Sequence, residues 1–172
     1  MILASVLLAL AVLWRIALPH PFHFTPELAA LLFFGYRATR KLLWLPVLSL
    51  AATDVYLNTR YGYKFTPDLY FAWIWYAAMV WLGSLLKSKH DVLRVAAAAI
   101  GGSVSFFVIS NFSVWLVWNM YPKTLAGLAE CYAAGIPFYR NMFAGDVIFT
   151  AAAFSLPLAI RAVTNASEAK AS

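Results

Sequence analysis

Charge is scarce in this chain. Of 172 residues, seven are Asp or Glu and thirteen are Lys or Arg, 12% in all, where soluble domains carry roughly 25%. A soluble fold of about 150 residues buries only about 70% of its chain surface, too little to hide a 63% hydrophobic composition from water. Lipid is the remaining solvent. At about 20 residues per span, six spanning helices use roughly 120 residues and leave about 50 for loops. That excludes a nucleotide-binding domain or a soluble catalytic module. The single cysteine, Cys131, excludes an internal disulfide and says nothing of redox compartment. Also absent are a Gly-rich phosphate loop, a His-Glu-x-x-His pair and a nucleophile-elbow serine. The expectation is a protein that is not an enzyme, with no catalytic residue, cofactor or resident metal.

The net charge of +6 does not point to nucleic acid. Its Lys and Arg residues stand singly or in small groups at the ends of apolar runs, where positive charge sets membrane orientation rather than tracking phosphates.

The apolar pattern predicts an all-α polytopic bundle of about six transmembrane helices. The first runs from about Ile2 to Leu18 as an uncleaved helix, stopped by Pro19 and Pro21. In the loop His20 to Pro26, Thr25 is the expected N-cap of the next helix, with Pro26 in its first turn. Segment two, Glu27 to Tyr36, is short for a span and either tilts or continues through Ala38 before the basic run Arg37, Arg40 and Lys41. Segment three runs from about Leu42 to Asn58, segment four from Asp68 to about Leu86, and segment five from about Val92 to Asn119. The small residues Ala96 to Ser103 in segment five allow close helix approach. Leu125, Leu128 and Tyr132 recur at helical spacing and predict a short interfacial helix near 124–134, ahead of segment six from about Met142 to Ala162. Residues 1–163 form one transmembrane domain, and the Ala-, Ser- and Lys-containing tail, 164–172, reads as disordered and cytoplasmic.

Arg37, Arg40, Lys41, Lys87, Lys89, Arg94, Arg161 and Lys170 collect at one end of the segments. Arg15, Arg60, Lys64, Lys123 and Arg140 collect at the other. The richer side is cytoplasmic by the positive-inside rule, so both termini face the cytoplasm.

With that orientation the polar residues crowd the outer halves. Ionisable groups inside helices are costly unless paired or wetted, so Arg15, Asp54 and Asp146 should face the bundle interior. At about 1.5 Å per residue they are expected roughly 6–8 Å below the outer helix ends, with Asn111 at about 12 Å. Arg15 with Asp54 or Asp146 reads first as a structural ion pair holding helices together and second as a ligand contact. Asn111, Trp115 and Trp118 share one helix face. Asn111 is the leading ligand contact, since a buried amide needs partners, whereas Trp118 reads as interfacial belt. His20 and His23 suit a metal only with further ligands such as Glu27 or Cys131. Otherwise they are loop histidines, and Cys131 is a packed small residue. His90 and Asp91 read as a solvated turn.

The stretches Asn111-Phe-Ser-Val-Trp115, Met120 to Leu128, Cys131 to Phe138, Asn141 and Gly145-Asp146 carry a resemblance, with the His20 to Pro26 loop and Asp54. Together they resemble an uncharacterised bacterial family of small integral membrane proteins described as transport proteins. That family is in turn similar to the substrate-binding S components of energy-coupling factor transporters. These capture a vitamin or metal ion at the outer face and pass it inward with a transmembrane coupling protein and two ATPases. The resemblance implies recognition by Asn111, Trp115, Tyr121, Asn141 and Asp146, supported by Asp54 and Arg15. It also implies a docking stripe on the first helix, where Ser5 and Ala9 have the spacing. The resulting expectation is a capture subunit for a small nutrient in a bacterial inner membrane. The alternative is a structural or assembly protein, in which Arg15, Asp54 and Asp146 satisfy one another with no cavity between them.

Overall fold

The computed structural model describes residues 1–17, 24–88 and 91–171. His20, His23, Lys89 and His90 lie outside the described residues. The described chain is all-helical: α1 (Ile2–Ala17), α2 (Glu27–Arg37), α3 (Leu45–Tyr61), α4 (Asp68–Leu85), α5 (Val92–Val117) and α6 (Leu125–Ala171), with one 3-10 turn at Arg40–Leu42. The runs Arg40–Tyr61, Val92–Val117 and Leu125–Ile160 are long and apolar enough to cross a bilayer, and α1 is a shorter apolar helix. This is a multi-pass membrane protein.

The centre of the bundle is α2. Every residue from Leu28 to Gly35 is buried, and α2 packs against α1, α4, α5 and α6. A helix that is apolar all round belongs in a core. Its 11 residues rise about 16 Å, half of the ~30 Å hydrocarbon thickness, so α2 does not cross a bilayer by itself. It stops at Arg37 because Ala38 is extended (ψ 151°). At its start Pro26, not Thr25, occupies the N-cap position, with no side-chain cap. Glu27 in the first turn complements the helix dipole instead.

Glycines let α2 and α4 touch backbone to backbone. A methyl group on Gly35 would run into the Val80 carbonyl, and one on Gly83 into the Leu32 carbonyl. Around this contact Leu28, Leu31, Leu32, Leu50, Tyr76, Met79 and Val80 form the principal core. The α3 helix begins with Pro46 in its first turn and ends on Gly62 in the left-handed conformation (φ 71°), open to glycine without strain. Asp91, expected in a solvated turn, caps α5 by accepting from the Arg94 amide at 2.8 Å.

The largest departure from the expected layout is α6. The short helix expected near 124–134 is not separate: those residues are the opening turns of one helix of 47 residues, with Pro137 and Pro157 inside it. The same helix carries on through Ala171, across the tail expected to be disordered. The α5–α6 hairpin supplies the missing reason. The Tyr132 hydroxyl donates to the Val108 carbonyl at 2.8 Å, and the Phe107 and Tyr139 rings stack at 4.6 Å. Packing on α5 holds the segment helical through a proline that would break an isolated helix.

Candidate functional site

Four helices meet at Arg15, near the end of α1. One terminal nitrogen donates to Glu27 Oε1 at 3.1 Å and to the Tyr76 hydroxyl at 2.9 Å. The other is paired with Asp54 Oδ1. The second Asp54 oxygen accepts from Trp73 Nε1 at 2.9 Å. Asp54 is 4% exposed, so its charge is sustained by these partners and not by water. The network ties α1, α2, α3 and α4 together at the end where the chain turns from α1 to α2 and from α3 to α4. Of the two partners that the sequence offers Arg15 (Asp54 and Asp146), Asp54 is the one in direct contact with it.

Beside this network lies a cavity of about 210 Å³. Its polar lining is Arg15, Thr25, Glu27 and Asp146, and its apolar lining is Leu28, Leu57, Trp75, Phe106 and Met142. Asp146 reaches it from α6 and is itself 4% exposed. Glu27 and the Ser103 hydroxyl are its electrostatic neighbours. Among the described residues, the buried ion pairs are Arg15 with Glu27 and Arg15 with Asp54, and Asp146 has no basic partner. The Ser103 hydroxyl is fully buried, and Asp146 is the side chain it faces. The aromatic wall is held in place: Trp75 Nε1 donates to Ser105 Oγ at 2.9 Å, and the Trp75 and Phe106 centroids are 4.7 Å apart at 58°.

The remaining sequence-predicted site residues stand elsewhere. The Asn111 amide donates to Phe107 O of its own helix at 2.8 Å, and its oxygen packs against Gly135. Asn111 is eight residues beyond Ser103 along α5, about 12 Å toward the hairpin tip. Trp115 Nε1 donates to Pro122 O at 2.9 Å. Lys123 closes the same corner, donating to the Trp115, Leu116 and Trp118 carbonyls that end α5. Tyr121 is half-buried and Asn141 exposed, and neither lines the cavity. Cys131 is buried, with its thiol against the Asn111 carbonyl at 3.4 Å. Among the described residues no three His, Cys, Asp or Glu side chains converge on a metal position. The structure thus separates the seven predicted residues into a cavity group (Arg15 and Asp146, with Asp54 paired to Arg15 outside the lining) and a hairpin-tip group (Asn111, Trp115, Tyr121), with Asn141 on the surface.

Sequence reasoning left Trp73, Trp75 and Tyr76 out of the site. Their signal was present: an indole N–H or phenol inside an apolar helix needs a hydrogen-bond partner, and α4 offers these groups beside the Arg15 and Asp54 it must cover.

No curated protein and no solved structure matches the chain. Residues 1–167 match a family of unknown function, and the chain belongs to that family, DUF6580.

Proposed function

We propose that this protein is a substrate-capture subunit of a bacterial inner membrane, with both termini cytoplasmic, which takes a small nutrient from the outer face. It works in the manner of an S component. The observation that carries the reading is the cavity itself. A purely structural cluster would leave Arg15, Asp54 and Asp146 satisfying one another with no space between them. Instead Arg15 pairs with Asp54, while Asp146 lines a space of about 210 Å³ with no basic partner among the described residues. That volume is below the roughly 300–1,000 Å³ of drug-sized pockets, which favours a compact ligand.

In this reading Arg15 and Asp54 hold the wall, and Asp146 and Glu27 with the aromatic pair meet the ligand. Delivery inward requires a partner, since the sequence has no ATP-binding motif. A transmembrane coupling protein with ATPases is the proposed one. Ser5 and Ala9 are exposed on α1 and available for its docking. Native mass spectrometry of protein purified gently from its own membrane tests the proposal. A co-purified small molecule, lost on Asp146→Asn, supports capture. A bare protein mass across several growth media transfers the weight to a structural or assembly role.

A further inference from the structure

The capture reading leaves the chemistry of the ligand open, and the charge arrangement narrows it. Arg15 is the cation of the described lining, and its terminal nitrogens are already committed to Glu27, Tyr76 and Asp54. Both Asp54 oxygens are taken, one by Arg15 and one by Trp73. Three of the five Arg15 N–H donors are thus spent inside the protein, and two carboxylates already share its charge, so Arg15 offers an anion no net positive charge. The cavity presents instead the carboxylates of Glu27, which shares Arg15 with Asp54, and of Asp146, which is 4% exposed and has no basic partner among the described residues. In the lining one guanidinium stands against two carboxylates, and Asp54 behind Arg15 already draws on that single cation.

An anionic ligand would enter against that surplus. A neutral ligand would leave it uncompensated inside the bundle, where unpaired charge is costly. The opposite wall suits a positive guest. Trp75 and Phe106 form a fixed aromatic corner, and aromatic faces attract cations within about 6 Å. Met142 adds a polarisable apolar surface beside them. We propose that the cavity takes a small organic cation, an ammonium or quaternary ammonium compound with an apolar body. Asp146 and Glu27 are its counter-charges, and Trp75 with Phe106 is its aromatic wall. This inference rests on the capture reading.

The test is calorimetric titration of the full chain in lipid nanodiscs with two probe sets. The first is benzylammonium, benzyl alcohol and benzoate, which differ in charge but little in shape. The second is choline and its neutral isostere 3,3-dimethylbutan-1-ol. The cation should bind at least about tenfold more tightly than its neutral counterpart in one set or both. Asp146→Asn should reduce that preference to within about twofold, and Asp146→Glu should keep it. Absence of a cation preference in both sets overturns the proposal, as does an unchanged preference in a folded Asp146→Asn protein. Should Asp146→Asn not fold, Phe106→Leu decides: it should lower cation affinity more than neutral affinity, and equal losses overturn the assignment. Mass spectrometry separates the two levels of failure. A co-purified neutral or anionic compound keeps capture and removes the cation. A bare mass in every medium, with no probe bound, removes both.

Discussion

The Arg15–Asp54 pair offers the sharpest energetic test, through Arg15→Met, Asp54→Asn and the double variant. Arg15→Met leaves Asp54 and Glu27 facing each other without a cation, and breaking a buried pair from one side costs about 3–5 kcal/mol. Asp54→Asn is milder, because Arg15 keeps Glu27 at 3.1 Å and the Tyr76 hydroxyl at 2.9 Å; the lost charged hydrogen bond is worth about 1.5–3 kcal/mol. In the double variant the stranded Asp54 carboxylate is gone, so the two losses should not add. The coupling energy should exceed about 1.5 kcal/mol, well above the roughly 0.6 kcal/mol typical of an interhelical hydrogen bond in a membrane. Unfolding in mixed micelles, followed by helical circular dichroism against SDS mole fraction, measures all four corners of the cycle. Losses that add to within about 0.5 kcal/mol would refute the pairing as a buried electrostatic tie.

Further expectations concern packing, the hairpin tip and orientation. Gly83→Leu should prevent α4 from closing on the Leu32 carbonyl and lower thermal stability far more than Gly101→Leu, where a Cβ meets nothing within 4 Å; equal melting temperatures would contradict the backbone contact. Asn111→Ala should leave occupancy of the cavity within about twofold, since the amide bonds its own helix about 12 Å away along α5, and co-purified ligand measures this. Lys123→Met should speed hydrogen exchange at the end of α5, where the Trp115, Leu116 and Trp118 carbonyls lose their capping ammonium. In a Cys131→Ser background, Tyr63→Cys should react with an impermeant maleimide from outside intact cells, and Arg94→Cys only after permeabilisation. The reverse pattern would invert the assigned topology.

Much of this architecture could be read from the residues because lipid demands simple patterns. The apolar runs placed α1 to α5 within a few residues of their observed bounds, but the run Leu28 to Gly35 reads in sequence as a short span and not as a helix buried on every side. That Arg15 pairs inside the bundle could be read because an ionisable group in an apolar helix has so few alternatives, but sequence left its partner open between Asp54 and Asp146. The start of α6 could not be read in the same way. Pro137, Arg140 and Asn141 resemble a break, and only the contacts of Tyr132 and Tyr139 with α5 show why the helix continues. That misplacement moved Asp146. Counted from Met142 it lies only about 6 Å along its helix; counted from the observed start at Leu125 it lies about 32 Å along, facing Ser103 of α5, with Asn111 nearer the hairpin tip.

The half-length of α2 explains why a cavity exists at that level. Measured from the basic end at Arg37, α2 rises about 16 Å and stops, while α3, α5 and α6 continue past it. Space above its first turn is left to side chains, and the chain fills it with Arg15 from α1, Asp54 from α3 and Tyr76 from α4. The side toward α5 and α6 is not closed in this way, and there Trp75, Phe106 and Asp146 border the open volume. A short central helix therefore does two things at once. It brings Glu27 to a depth where a carboxylate needs a partner, and it withholds the apolar surface that would otherwise fill the site. Lengthening α2 by one turn, with apolar residues inserted before Leu28, should close the cavity while leaving the α2–α4 glycine contact intact. Retained ligand binding in such a folded insertion variant would show that the binding site lies elsewhere.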